Sequence, residues 1–162
     1  MRFVLIDRFL TLEPGVRAVA TKCFPADEEI FADHFPGFPI VPGVLLTECM
    51  AQTGGWLLAA SHDFDVKSAL LMIERAKFRS WVRPEETVEI EAVIDSLQPS
   101  SATVKATVKA DGKRRASAQL MFGLNALGEG DNPFNNDQSR AWVRETWLGL
   151  DGPTVLPGVS PK

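Results

Sequence analysis

PGVLLTECMAQTGGWLLAAS, residues 42–61, decides how this chain folds. Pro42 and Gly43 open the stretch, and proline suits a helix start because its missing N–H has no intrahelical partner to lose there. The residues that follow are apolar almost all round: Val44, Leu45, Leu46, Met50, Ala51, Trp56, Leu57, Leu58, Ala59 and Ala60. Such a helix has to be enclosed by other structure. Its eighteen or so residues span roughly 27 Å at ~1.5 Å each, enough to cross a small domain. Thr47, Glu48 and Gln52 sit near its middle. A charge there costs about 2.5–3.5 kcal/mol on membrane-insertion scales, which argues for a buried helix in a soluble protein.

The flanking sequence supplies the enclosure. Residues 2–12 and 15–23 read as two strands joined at Glu13-Pro14-Gly15. Residues 24–42 are loop-like, rich in proline, with a short helical turn near 26–31. Beyond the helix, residues 68–82 form an apolar strand segment. Residues 87–95 alternate Val88, Ile90, Ala92 and Ile94 against Glu89 and Glu91, and residues 101–110 alternate Ala102, Val104, Ala106 and Val108 against polar partners. Asp111-Gly112 is a two-residue hairpin signal, and the return strand at 113–122 turns Ala116, Ala118, Leu120 and Phe122 inward. The expected fold is α+β: a long central helix with an antiparallel sheet wrapped around it. The sheet keeps open edges, so pairing with a second copy into a homodimer through the sheet is expected.

The chain divides into a main domain, 1–124, and a C-terminal extension, 125–162. The extension carries a short helix at 139–150 that docks on the core, followed by a flexible tail. Its 162 residues are enough for one hydrophobic core. A formal net charge of -4 disfavours a nucleic-acid binder. Cys23 and Cys49 are too few for a disulfide framework, and no cysteine–histidine spacing suggests a metal. No metal or cofactor is expected. Reduced thiols, and a start at Met1-Arg2-Phe3 that passes directly into strand pattern, point to the cytoplasm, with no membrane span.

Chemistry concentrates in HFPGFPIVPGVLLTECMAQTGG, residues 34–55. Burying a lone carboxylate such as Glu48 is expensive, and the neutral acid is the cheaper species. A neutral carboxylic acid near pH 7 is a proton donor. From the residues alone, two bland readings stay open: Glu48 paired with an arginine, and His34 as a loop histidine bound to backbone groups. The proline-rich connection between them can fold back on the helix start, which favours a catalytic pair.

This segment resembles the signature of the FabZ/FabA-type 3-hydroxyacyl-carrier-protein dehydratases, closer to FabZ. LIDRFLTLEPGVRAVATK is similar to the family's N-terminal hairpin and IERAKFRSWVRP to the strand after its helix. The likeness runs in order over roughly residues 3–122. It implies the hotdog fold and removal of water from 3-hydroxyacyl thioesters. By position it implies that His34 takes the C2 proton and Glu48 protonates the leaving 3-hydroxyl. The backbone N–H of Gly43 binds the thioester carbonyl, a role suited to a helix N-terminus. It also implies a site shared between the subunits of a dimer and an acyl carrier protein as partner. Glu48, where isomerising members carry aspartate, implies plain dehydration. Asp33 replaces the family's usual glycine before the histidine, Glu85 and Glu86 follow Pro84 where a glycine is common, and the family's tyrosine gate has no counterpart, since the chain contains no tyrosine.

Candidates for the acyl tunnel are Phe35, Phe38, Leu46, Trp56, Leu71 and Phe78, though core packing is the more ordinary job for each. Arg75, Lys77 and Arg79 alternate along a strand with Arg83 close by, offering a docking patch for an acidic carrier protein or simply a solvated face. Lys113, Arg114 and Arg115 are a second such patch. Cys49 reads as packing and His62 as favourable charge at the helix C-terminus. The alternatives to the dehydratase are a hotdog thioesterase and a non-catalytic acyl-binding subunit.

Overall fold

The computed structural model describes residues 3–126, 137–159 and 161. In chain order these form β1 (Arg8–Glu13), β2 (Arg17–Lys22), α1 (Ile30–Asp33), α2 (Gly43–Ala60) and β3 (Val66–Phe78). They continue with β4 (Val88–Gln98), β5 (Ser101–Ala110), β6 (Lys113–Ala126), α3 (Asp137–Gly149) and α4 (Gly152–Val155). The described strands make one six-stranded antiparallel sheet in the order β1-β2-β4-β5-β6-β3. Helix α2 touches β2 through β6, so the sheet wraps around it, the arrangement that the resemblance implies.

Strand alternation explains the wrap. Val88, Ile90, Ala92, Ala102, Val104, Ala106, Val108, Ala116, Ala118, Leu120 and Phe122 are all buried, and they face α2 from three consecutive strands. Small alanines dominate this face, which lets the helix lie close to the sheet. Asp111 and Gly112 both take positive φ, 50° and 70°, the type I′ turn that matches strand twist.

Strand β3 departs from the simple pattern. It pairs only with β6 among the described strands, and its register slips between Leu70 and Met72 and again between Glu74 and Lys77. Each slip is a bulge, which adds a residue and changes which side chains share a face. Leu70, Leu71, Met72, Ile73 and Phe78 all stay exposed on this long edge strand. The opposite edge is partly covered, since the Phe9 N–H donates to the Leu150 carbonyl.

The C-terminal residues are more tightly bound to the core than their composition suggests. Trp147 is fully buried, with ring centroids of Phe64, Phe9 and Trp56 at 5.0, 5.9 and 5.9 Å. Leu150 is buried beside it. The flexible tail expected over the last dozen residues is instead partly structured. Gly152–Val155 is helical, and Arg144 Nε donates to the Pro161 carbonyl at 3.1 Å. Residues 127–136, 160 and 162, the Asn- and Gly-rich linker among them, lie outside the described residues. No described helix is long and apolar enough to cross a membrane.

Candidate active site

His34 stands immediately after α1, its N–H donating to the Ile30 carbonyl. The loop then folds back on itself. Phe35 and Phe38 exchange backbone hydrogen bonds of 3.3 and 2.9 Å around Pro36-Gly37, with Gly37 at φ 75° as a type II turn demands. The Ile40 N–H donates to the His34 carbonyl at 3.1 Å, and the Ile40 carbonyl lies 3.0 Å from the ring Nδ1. A carbonyl only accepts, so Nδ1 carries the proton and the neutral ring keeps its lone pair on Nε2. The imidazole is thereby fixed in orientation and tautomer, the state a general base requires. Val41 ties the end of the loop to the connection between β3 and β4, its N–H donating to the Val82 carbonyl at 2.8 Å.

Gly43 begins α2 directly after Pro42. Its N–H belongs to the first helical turn, whose donors have no intrahelical acceptor. A Cβ at Gly43 would meet the Phe78 ring at 3.0–3.2 Å, so glycine here also makes room for that ring. Phe78 thus lies against the helix start.

Glu48 follows one turn later and is half-buried. It is not the lone carboxylate that the sequence suggested. Gln52 Nε2 donates to Glu48 Oε1 at 3.0 Å, while Gln52 Oε1 accepts the Leu5 N–H at 2.7 Å and Gln52 Nε2 also approaches the Phe3 carbonyl at 3.4 Å. The glutamine is therefore a bridge that anchors the carboxyl to the N-terminal segment. Sequence reasoning passed over this residue; its signal was a polar side chain four positions from Glu48, one turn along an otherwise apolar helix. Replacing Gln52 with leucine should leave the fold intact but lower turnover about 10-fold or more, chiefly in kcat, because the acid loses its orientation. Steady-state kinetics beside a thermal melt checks this.

Glu48 forms part of the wall of a largely apolar cavity of about 250 Å³. His34 is not among the residues that line this cavity. Of the six tunnel candidates, Trp56 lines the cavity. Leu46 is instead core, 3% exposed. Phe35 and Phe38 are exposed on the loop that follows His34, with the Arg83 guanidinium 5.4 Å from the Phe38 ring centre. Leu71 is displaced by the first β3 bulge onto Gly123, on the sheet face away from α2. Leu70 and Phe122 line the cavity. Periodicity alone cannot show where Leu71 points, because a bulge leaves no mark in hydrophobic alternation.

The basic candidates also change. Arg75 sits in the second bulge at φ 53°, so it does not alternate regularly with Lys77, which lies opposite Ser117. Arg75, Lys77, Arg79 and Arg83 are all exposed. In the second patch Arg115 is engaged: it pairs with Glu86 and donates to Ser80 Oγ at 3.3 Å, leaving Lys113 and Arg114 exposed. Cys49 is buried, and burial pushes its thiol up to about 12, which suits packing and not nucleophilic chemistry. The His62 ring sits 2.8 Å from the Leu58 carbonyl at the end of α2. No cluster of metal-binding side chains occurs among the described residues.

Residues 12–119 match the family model described as ApeI-like, ApeI dehydratase. The 3-hydroxyacyl-[acyl-carrier-protein] dehydratase FabZ of Latilactobacillus sakei is 40% identical over 120 residues, covering 74% of this chain and 86% of that one. The FabZ of Clostridium kluyveri is 38% identical over 121 residues, 74% of this chain and 84% of its own. Among solved structures, smu.793 from Streptococcus mutans bound to acetyl CoA matches with a TM-score of 0.61 at 14% identity, over 78% of this chain and 93% of that one. The thioesterase HI1161 from Haemophilus influenzae matches with a TM-score of 0.61 at 15% identity, over 75% and 80%. At such identities the structural likenesses establish the fold, an antiparallel hotdog sheet around a central helix.

Proposed function

The chain belongs to the ApeI-like and FabZ dehydratase family, and from that premise we propose how it removes water from a 3-hydroxyacyl thioester, with His34, Glu48 and Gly43 in the reacting roles. The imidazole Nε2 takes the C2 proton. The electron pair moves into the C2–C3 bond, and the 3-hydroxyl leaves as water with a proton from Glu48. The products are a trans-2-enoyl thioester and one water. The Gly43 N–H holds the thioester oxygen while negative charge develops on it. The observation that carries this reading is Glu48, turned by Gln52 to the wall of an apolar cavity one turn from a helix N-terminus.

Two such sites form in a homodimer, each taking His34 from one protomer and Glu48 of the partner subunit. The feature that supports this is the exposed apolar edge of β3, with Leu70, Leu71, Met72, Ile73 and Phe78 uncovered. A long unpaired edge of this kind needs a partner strand. The substrate arrives on an acyl carrier protein, whose acidic surface meets Arg75, Lys77, Arg79 and Arg83; Arg83 adjoins the catalytic loop through Phe38. The pathway is fatty-acid or a related lipid synthesis, and the compartment is the cytoplasm.

Hydration of crotonyl thioesters, followed by loss of enoyl absorbance, tests the reading in the reverse direction. Turnover should be faster with a carrier-protein thioester than with the coenzyme A thioester and should fall with added salt. Release of free thiol without loss of the enoyl group would identify a thioesterase instead.

A further inference from the structure

Helix α3 lies beyond residues 12–119, the part of the chain that the family model matches. Yet it supplies one wall of the cavity beside Glu48. Trp142 and Val143 face Ala51, Gly55 and Trp56 of α2 across that space. Trp142 also lines a second cavity, of about 320 Å³, shared with Glu48 and Gln52. The indole therefore borders both spaces that open from the catalytic carboxyl.

The helix is held in this position. Trp147, on the same helix, is fully buried among Phe9, Trp56 and Phe64 and acts as its anchor. Trp142, on the same helix, is 48% exposed and lines the cavity. The space it closes, about 250 Å³, lies just under the roughly 300–1,000 Å³ of common small-molecule sites.

We propose that α3 is the acyl-size filter of this enzyme, with Trp142 as the specificity-determining residue that limits the pocket beside Glu48 to short and medium acyl chains. This inference rests on the dehydratase reading, because it takes the chain attached to the reacting carbon to continue from Glu48 into the cavity. Most of the lining is apolar, with Glu48, Gln52, Lys67, Ser68, Ser139 and Arg140 as its polar members, and the apolar part fits a hydrocarbon. Trp142 contacts that hydrocarbon and takes no part in the proton transfers.

The test compares wild type, Trp142→Ala and Trp142→Phe on enoyl thioesters graded from crotonyl to hexadecenoyl. For Trp142→Ala the ratio of kcat/KM for the longest over the shortest substrate should rise about 10-fold or more, and Trp142→Phe should fall between. An unchanged ratio overturns the filter. Calorimetric binding of non-hydrolysable butyl and hexadecyl thioethers of pantetheine reads the same pocket without turnover. Trp142→Ala should favour the hexadecyl compound by a similar factor. If wild type turns over no enoyl thioester, the dehydratase reading fails, while the thioether ratio still decides the filter. If wild type is active and neither ratio moves, only the filter fails.

Discussion

Replacing His34 with alanine should lower dehydratase turnover by about 10²- to 10⁴-fold, and replacing Glu48 with glutamine should do the same, because in the proposed roles each removes one of two proton transfers. The His34 loss follows from the way the ring is held. The Ile40 carbonyl occupies Nδ1, so Nε2 is the available base, and no other described group is fixed in its place. Glu48→Gln keeps the shape of the side chain and the contact with Gln52 but removes the acidic proton. Both variants should form the proposed homodimer as wild type does by light scattering, since neither side chain is part of the buried core. Mixing the two inactive proteins after subunit exchange should restore roughly a quarter of wild-type activity. Half of the dimers are then mixed, and one of the two sites in each has both residues intact. Full recovery, or none, would count against a site shared across the interface. Either single variant with near-normal turnover would remove the assigned roles.

Replacing Trp147 with alanine should destabilise the protein by about 3–5 kcal/mol, the usual cost of deleting a buried tryptophan. Three aromatic neighbours lose their partner at once. Trp147→Phe should cost far less. The indole Nε1 is buried without a hydrogen-bond partner among the described residues, and phenylalanine removes that unsatisfied donor. A second variant reaches the same place from the other side. A Cβ at Gly152 would lie 2.1–2.6 Å from the Trp147 ring, so Gly152→Ala forces the indole or α4 to move, at about 1–3 kcal/mol. Chemical denaturation measures all three. If Trp147→Ala melts like wild type, the C-terminal helix is not part of the core, and the filter assigned to Trp142 loses its anchor.

Much of this was legible in the residues. The all-round apolar stretch at 43–60 required enclosure, and the alternating strands at 88–122 supplied one buried face, so the wrapped sheet followed from patterning. His34 and Glu48 stood out as ionisable groups against proline-rich and apolar neighbours. Of the six tunnel candidates, Trp56 lines the cavity beside Glu48 and Leu46 packs in the core. Leu71 shows what patterning does not reach. Hydrophobicity marks it as inward, but the bulge at Leu70–Met72 turns it to the far face, and backbone register is not written in composition.

What the sequence determined by itself was the local and periodic part: the helix, the strand faces, the Asp111-Gly112 turn and the two ionisable candidates, His34 and Glu48. These depend on residue type and spacing, which a chain carries wherever it folds. Only tertiary structure decided that Gln52 holds Glu48, that Arg115 is taken by Glu86, and that α3 closes over the cavity on a Trp147 anchor. Each of these joins residues distant in sequence or selects one partner among several. Such choices are set by packing in three dimensions, where no one-dimensional pattern distinguishes the neighbour that is met from the one that is not.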